Sequence, residues 1–161
     1  MKSNTQQTIQ IDNSTFFSIL EQELAERRSV RFRIKGISMQ PMLRNNRDEV
    51  QLVPCDGHVL APGDICLFVF KGQYILHRLL RQEGEMYYFQ GDNVLTRCEN
   101  CRREHIIGVV QQIYRDGQTF PPISKRWKRR IKMNRFKQHI RLRISSLLPS
   151  HLKAFIKKLL N

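Results

Sequence analysis

The chain has 161 residues, a net charge of +14 and 40% hydrophobic residues, which predicts one domain with a modest core and an appendage. The charge is uneven, because residues 124–161 hold 13 of the 28 Lys and Arg and no Asp or Glu. The polar start predicts that there is no secretory leader. The lack of an apolar run of about 18 residues predicts that no helix spans a membrane. We therefore expect a cytosolic chain whose four cysteines are reduced thiols.

Residues 1–29 are predicted to form a lead-in and a short helix. Phe16, Leu20 and Leu24 recur at helical spacing, with acidic residues on the other side. This pattern predicts a helix over about residues 15–27 that places one apolar face on the rest of the protein.

From residue 30 to residue 123 the pattern becomes typical of strands. Short alternating or continuous apolar segments are separated by turn signals such as Pro62-Gly63-Asp64 and Asp116-Gly117. The turns recur roughly every 8–12 residues, which predicts a mainly β domain of antiparallel sheets. The predicted strands are residues 30–35, 48–53, 65–70, 74–80, 86–89 and 105–114, of which 65–70 is apolar throughout, as in a strand buried on both faces.

Residues 124–161, which we call the basic tail, are predicted to form amphipathic helices on either side of Pro149. Lys and Arg suit anionic lipid headgroups, and apolar stripes suit the acyl boundary, so we expect an anionic membrane surface as the partner. Packing of part of the tail on the body of the protein and nucleic-acid binding are the less favoured alternatives. The stripes are Met133, Phe136, Ile140, Ile144 and Leu147, and then Leu152, Phe155, Ile156, Leu159 and Leu160.

The residue types needed for nucleophilic catalysis occur at Ser38, His77 and Asp92. A serine hydroxyl needs a base to remove its proton, and a neutral imidazole is suited to this near neutral pH. A carboxylate then holds the imidazole tautomer, and the peptide N–H of Ser38 is a candidate donor to an oxyanion. Each residue also has a simpler interpretation: a turn serine, a hydrogen-bonded strand histidine and a Gly-Asp-Asn turn.

Five segments follow one another in the order found in the S24/S26 peptidase superfamily. They include Gly-Ile-Ser-Met-Gln-Pro-Met-Leu at Ser38, Ile-Leu-His-Arg at His77 and Gly-Asp-Asn at Asp92. The chain resembles the signal peptidase I relatives that use His rather than Lys as the base. The resemblance covers about residues 30–113, and its segments are residues 36–43, 62–70, 75–78, 91–93 and 106–110.

The resemblance implies a serine endopeptidase on coiled antiparallel β-sheets of the signal-peptidase or LexA-like type. Ser38 matches the family nucleophile, His77 the general base and Asp92 the acid of Gly-Asp-Asn. The implied substrate is a signal- or leader-like peptide or precursor protein, bound extended beside a strand with small residues near the cut. We expect no cofactor and no metal.

Glu99 is the alternative third catalytic group, because many relatives with a His base carry a second acid several residues after Gly-Asp-Asn. The sequence departs from the family in two further ways, since it shows no N-terminal transmembrane anchor and has the basic tail. We therefore expect a cytoplasmic protein that is peripheral to the inner face of the membrane.

Cys98 and Cys101 form a C-x-x-C pair, but Cys55 and Cys66 supply no second tight pair for a zinc site with four ligands. We expect structural cysteines rather than a zinc or redox site. Two other functions stay open at this point. One is a catalytically silent peptide-binding module, and the other is a nucleic-acid-binding regulator of the LexA-like kind.

Overall fold

The computed structural model describes residues 13–94 and 96–123, together with the single residues 129, 133, 136 and 140. Within these residues the protein is mainly β with a short N-terminal helix, as the sequence predicts, and the strands form one eight-stranded antiparallel sheet. The helix α1 spans Asn13–Ala25. The strands are β1 Val30–Arg33, β2 Glu49–Pro54, β3 Ile65–Phe70, β4 Gln73–Glu83, β5 Met86–Gln90, β6 Glu99–Arg102, β7 Ile106–Arg115 and β8 Gln118–Phe120.

The sheet has the strand order β1-β2-β7-β3-β4-β5-β6, with β8 paired to β7. The strands from β3 to β6 pair with their neighbours along the chain, and β7 then returns between β2 and β3. Because β4, β5 and β6 lie side by side, residues far apart in the sequence meet across them.

Strand β3 is buried on both faces and separates two hydrophobic cores. Ile65 and Leu67 belong to the first core, whereas Cys66 and Phe68 belong to the second, as expected for side chains that alternate across a strand. The first core contains Leu20, Leu24, Ile34, Met39, Met42, Leu43, Val50, Leu52, Ile65, Leu67, Val110 and Ile113. The second contains Cys55, Cys66, Phe68, Leu79, Phe89, Cys101, Ile106 and Val109.

Helix α1 packs on the first core through Leu20 and Leu24, two of the residues that predict its apolar face. It begins and ends two residues before the predicted range of 15–27. Arg27 adopts a left-handed backbone conformation with φ 60°, which ends the helix before the chain enters β1.

The sequence does not predict β6 and β8. In β6 the residues that face inward are Glu99 and Cys101, so the strand lacks the apolar alternation that marks a half-buried strand. Strand β8 has three residues and forms only the return arm of a hairpin at Asp116-Gly117. Tertiary pairing rather than local pattern therefore determines both strands.

Asp48, a fully buried carboxylate, ties the loop between β1 and β2 to the sheet. Its oxygens accept hydrogen bonds from the guanidinium groups of Arg115 and Arg47 and from the backbone N–H of Arg44. Arg115 also donates to the carbonyl of Met42 at 2.8 Å. Burial alone would raise the pKa of Asp48. The hydrogen bonds together outweigh this effect and lower the pKa to about 2.

We expect Asp48 to make the free energy of unfolding depend on pH in acid. Because its folded pKa lies below the unfolded value of 3.8, the stabilisation is full above that value and is lost as pH falls towards 2. The part of this stabilisation that depends on pH is on the order of 2 kcal/mol. Urea unfolding should be measured for the wild type and for Asp48→Asn between pH 6 and pH 2. The difference between their free energies of unfolding should become smaller as the pH falls. Asp56→Asn, in an exposed loop, is the control, and a constant gap for Asp48→Asn would contradict the prediction.

Most of the basic tail lies outside the described residues, as do residues 1–12 of the lead-in. Four residues of the tail are described as helical and exposed, namely Arg129, Met133, Phe136 and Ile140. In the part of the chain that the structure describes, no helix combines the length and apolar character needed to cross a membrane. The division into residues 1–29, 30–123 and 124–161 stays a prediction.

Candidate active site

Ser38 lies in a tight turn between β1 and β2. The turn begins at Gly36, whose φ of 101° is favoured by glycine. Met39, Met42 and Leu43, which follow Ser38, are buried in the first core. These apolar anchors fix the turn from below and leave Ser38 half-buried at its surface.

The backbone of Ser38 faces the loop that follows β5. Its carbonyl accepts a hydrogen bond from the N–H of Asn93 at 2.8 Å. Among residues 13–94 and 96–123, no backbone carbonyl accepts a hydrogen bond from the N–H of Ser38. A backbone N–H that is not bonded to the main chain is the kind of donor that stabilises an oxyanion in acyl transfer.

Gly91 lies at the point where Ser38 and His77 converge. A Cβ atom at Gly91 would be 2.6 Å from the Ser38 carbonyl oxygen and 2.9 Å from His77 Nε2. Real side chains do not tolerate such distances, so only glycine fits here without a shift of these groups. The structure therefore brings the imidazole Nε2 into the immediate neighbourhood of the Ser38 turn.

The other imidazole nitrogen of His77 meets Glu99. His77 Nδ1 lies 2.9 Å from Glu99 Oε2, and the two residues are 3% and 1% exposed. A carboxylate only accepts hydrogen bonds, so Nδ1 carries the proton in this pair. In the neutral ring, Nε2 is then the acceptor, which is the tautomer that a general base for a serine requires.

Strand register explains why Glu99 reaches His77 across β5. Leu79 of β4 pairs with Phe89 of β5, and Phe89 pairs with Glu99 of β6. His77 lies two residues before Leu79 and so projects from the same face. One further step along the β4–β5 register places Gly91 opposite His77, and its missing side chain leaves the diagonal from His77 to Glu99 open.

Asp92 has a different partner from the one that the sequence suggests. Both of its oxygens accept from Arg78, at 2.8 Å from Nε and 2.8 Å from Nη2, and Arg78 also donates to the carbonyl of Gly63. Arg78 follows His77 in β4, so the two side chains project from opposite faces of the strand. The carboxylate that hydrogen-bonds to the imidazole is thus Glu99, the alternative acid. Asp92, which the sequence predicts to orient His77, binds Arg78 instead.

Arg97 is a residue of the candidate site that the sequence does not predict. Its Nε donates to Glu99 Oε1 at 2.8 Å, so Glu99 accepts one hydrogen bond on each oxygen. Its own carbonyl accepts from the side chain of Gln90. No sequence pattern marks Arg97, because an arginine in a polar loop usually faces only solvent.

Cys98 and Cys101 lie in different environments. Cys98 is exposed, whereas Cys101 is buried in the second core with Cys55 and Cys66. Burial raises the pKa of Cys101 to about 11, and it raises the pKa of Cys66 as well. These buried thiols therefore stay protonated at neutral pH and behave as small core residues. Within residues 13–94 and 96–123, no group of three or more His, Cys, Asp or Glu is arranged to hold a metal ion.

In comparisons with known proteins, no family model matches this chain, and no curated protein matches it.

Proposed function

We propose that the protein is a serine endopeptidase of the S24/S26 superfamily, similar to signal peptidase I relatives with a His base. Ser38 is the nucleophile, His77 the general base and Glu99 the group that orients His77. The buried hydrogen bond from His77 Nδ1 to Glu99 carries this proposal, because it turns Nε2 towards the Ser38 turn. The mainly antiparallel β fold and the order of the sequence motifs support the same assignment.

In the acylation step, Ser38 Oγ attacks the scissile carbonyl carbon while its proton passes to His77 Nε2. The carbonyl oxygen becomes an oxyanion, which accepts a hydrogen bond from the N–H of Ser38. The tetrahedral intermediate then collapses, the C–N bond breaks, and His77 gives the proton to the leaving amine. Glu99 stabilises the transient imidazolium through Nδ1 and does not itself take the proton.

In the deacylation step, water replaces the amine. His77 Nε2 takes a proton from water as the water oxygen attacks the ester carbonyl, and the C–Oγ bond then breaks. The proton returns to Ser38 Oγ, and a carboxylic acid product leaves. A leader-like or signal-like peptide with small residues near the cut is the substrate class that the sequence resemblance suggests.

An acylating β-lactone probe tests the nucleophile without knowledge of the substrate. Ser38 Oγ should open the lactone ring and retain the probe as an ester, which intact-mass spectrometry and peptide mapping detect. We expect one adduct per chain at Ser38, none in Ser38→Ala and at least a 100-fold slower reaction in His77→Ala. Ser29→Ala, at an exposed serine outside the candidate site, is the control and should react like the wild type.

Two outcomes would overturn the catalytic assignment. An adduct that persists in Ser38→Ala would place the reactive group elsewhere. A wild-type protein that stays unlabelled yet binds extended peptides would indicate the silent binding module instead.

We also propose that the basic tail holds the enzyme on an anionic membrane surface. Met133, Phe136 and Ile140 are helical, exposed and spaced by three and four residues, so they line one helix face. Phe136 is 62% exposed, a large apolar side chain that a membrane boundary would cover. The basic residues of the segment complement anionic headgroups, each with about 1 kcal/mol when it is near the surface.

Flotation with vesicles tests the membrane proposal. The full chain should float with vesicles that contain phosphatidylglycerol and should stay behind with pure phosphatidylcholine. Replacement of Met133, Phe136 and Ile140 by Ser should weaken flotation while the charge is unchanged. Equal flotation with both vesicle types, or after removal of residues 124–161, would overturn the proposal.

A further inference from the structure

The buried carboxylate of Glu99 needs a hydrogen-bond donor for each of its two oxygens. It is 1% exposed, and a buried carboxylate is costly unless its oxygens are hydrogen-bonded. His77 supplies one N–H through Nδ1, which satisfies Oε2 only. The other oxygen, Oε1, accepts from Arg97 Nε at 2.8 Å.

Arg97 is placed at the boundary between this buried pair and solvent. Its side chain is 72% exposed, although the carboxylate that it contacts is buried. Its backbone is held in place, since the carbonyl accepts from Gln90 Nε2 at 3.3 Å. The guanidinium thus reaches inward from an anchored position and completes the hydrogen bonding of Glu99.

Three described residues between β5 and β6 contact the members of the candidate site. Gly91 lies against His77, Asn93 donates to the Ser38 carbonyl, and Arg97 donates to Glu99. Arg97 is therefore the residue of this segment that hydrogen-bonds to the carboxylate of Glu99.

We infer that Arg97 is a positioning residue for the proposed reaction, acting through Glu99 on the orientation of His77. With Arg97 on Oε1, the carboxylate presents Oε2 to Nδ1 in a fixed direction. Without Arg97, Oε1 is left unsatisfied, and the carboxylate turns towards water or towards another donor. The inference rests on the proposed function, because it needs Ser38 to be the reacting group.

The test measures the acylation of Ser38 by the β-lactone probe, with kinact and KI determined separately. Arg97→Ala should lower kinact by about 10–100-fold, the range found for residues that orient the ligands of metal sites, with little change in KI. Arg97→Lys keeps a cationic donor and should recover part of the loss. Arg102→Ala removes an exposed arginine from the same edge of the sheet and should leave kinact unchanged.

A double-mutant cycle separates positioning from a general structural effect. If Arg97 acts through Glu99, Arg97→Ala should have almost no effect in a Glu99→Gln background. Equal losses in both backgrounds, or a wild-type kinact in Arg97→Ala, would overturn the inference. An unlabelled wild type would instead overturn the proposed function, so the two failures are distinguishable.

Discussion

Replacement of Glu99 by Gln should slow the acylation of Ser38 by about 10²–10⁴-fold and leave the protein folded. Both neighbours of Glu99, His77 Nδ1 and Arg97 Nε, are donors. A glutamine amide has one accepting oxygen and one donating nitrogen, so it cannot accept from both. An amide nitrogen that faces Nδ1 would move the ring proton to Nε2 and remove the base.

Asp92→Asn should have the opposite profile, with a large loss of stability and a small loss of reactivity. Asp92 and Arg78 are a buried ion pair, and breaking such a pair by removing one charge costs about 3–5 kcal/mol. The acylation rate of the folded fraction should stay within a few-fold of the wild type, because Asp92 and Arg78 hydrogen-bond to each other, whereas the side chain of His77 hydrogen-bonds to Glu99.

Urea unfolding and probe kinetics on both variants check this contrast. If Asp92→Asn does not fold, the apolar pair Arg78→Met with Asp92→Leu removes both charges together and is expected to cost much less. A folded apolar-pair variant that loses acylation by 10²-fold or more would return the catalytic role to Asp92.

Gly91→Ala should reduce the acylation rate by roughly 100-fold or more, because displacement of reacting groups by about 1 Å has effects of that size. The added methyl group would lie 2.6 Å from the Ser38 carbonyl oxygen and 2.9 Å from His77 Nε2. The carbonyl belongs to the backbone and cannot rotate away, so either the Ser38 turn or the backbone at Gly91 must shift, and we expect this shift to change the distance between Ser38 and the imidazole.

Gly108→Ala is the matched control for this prediction. A methyl group there would lie 2.8 Å from the carbonyl oxygen of Val53, so the crowding is similar, but it falls between β7 and β2. Gly108→Ala should lower the free energy of unfolding without changing the acylation rate of the folded protein. Equal loss of reactivity in both variants would contradict a specific role for Gly91.

The β class of the fold could be predicted because period-2 patterns and turn residues are local signals. Strand β3, residues 65–70, is the clearest case, since an apolar run with no polar face predicts burial on both sides. Strand β6 could not be predicted this way, because its inward residues include a carboxylate. A buried Glu99 becomes understandable only when His77 and Arg97 are seen beside it.

The acid of the candidate site shows a limit of motif reasoning. Asp92 belongs to a recognisable Gly-Asp-Asn segment, whereas Glu99 carries no comparable local mark. Choosing between them requires knowing that His77 and Arg78 project from opposite faces of β4 and which carboxylate each one meets. That information is contained in the pairing of β4, β5 and β6, which a single sequence does not display.

The division of the interior by β3 has a consequence for how the site responds to change. The turn that carries Ser38 is anchored in the first core through Met39, Met42 and Leu43. His77 pairs with Cys66, and Glu99 pairs with Phe89, so both residues lie beside the second core. If Ser38 is the nucleophile that we propose, its reactivity should therefore depend on the alignment of the two cores, and a substitution that shifts either core relative to the other should lower it.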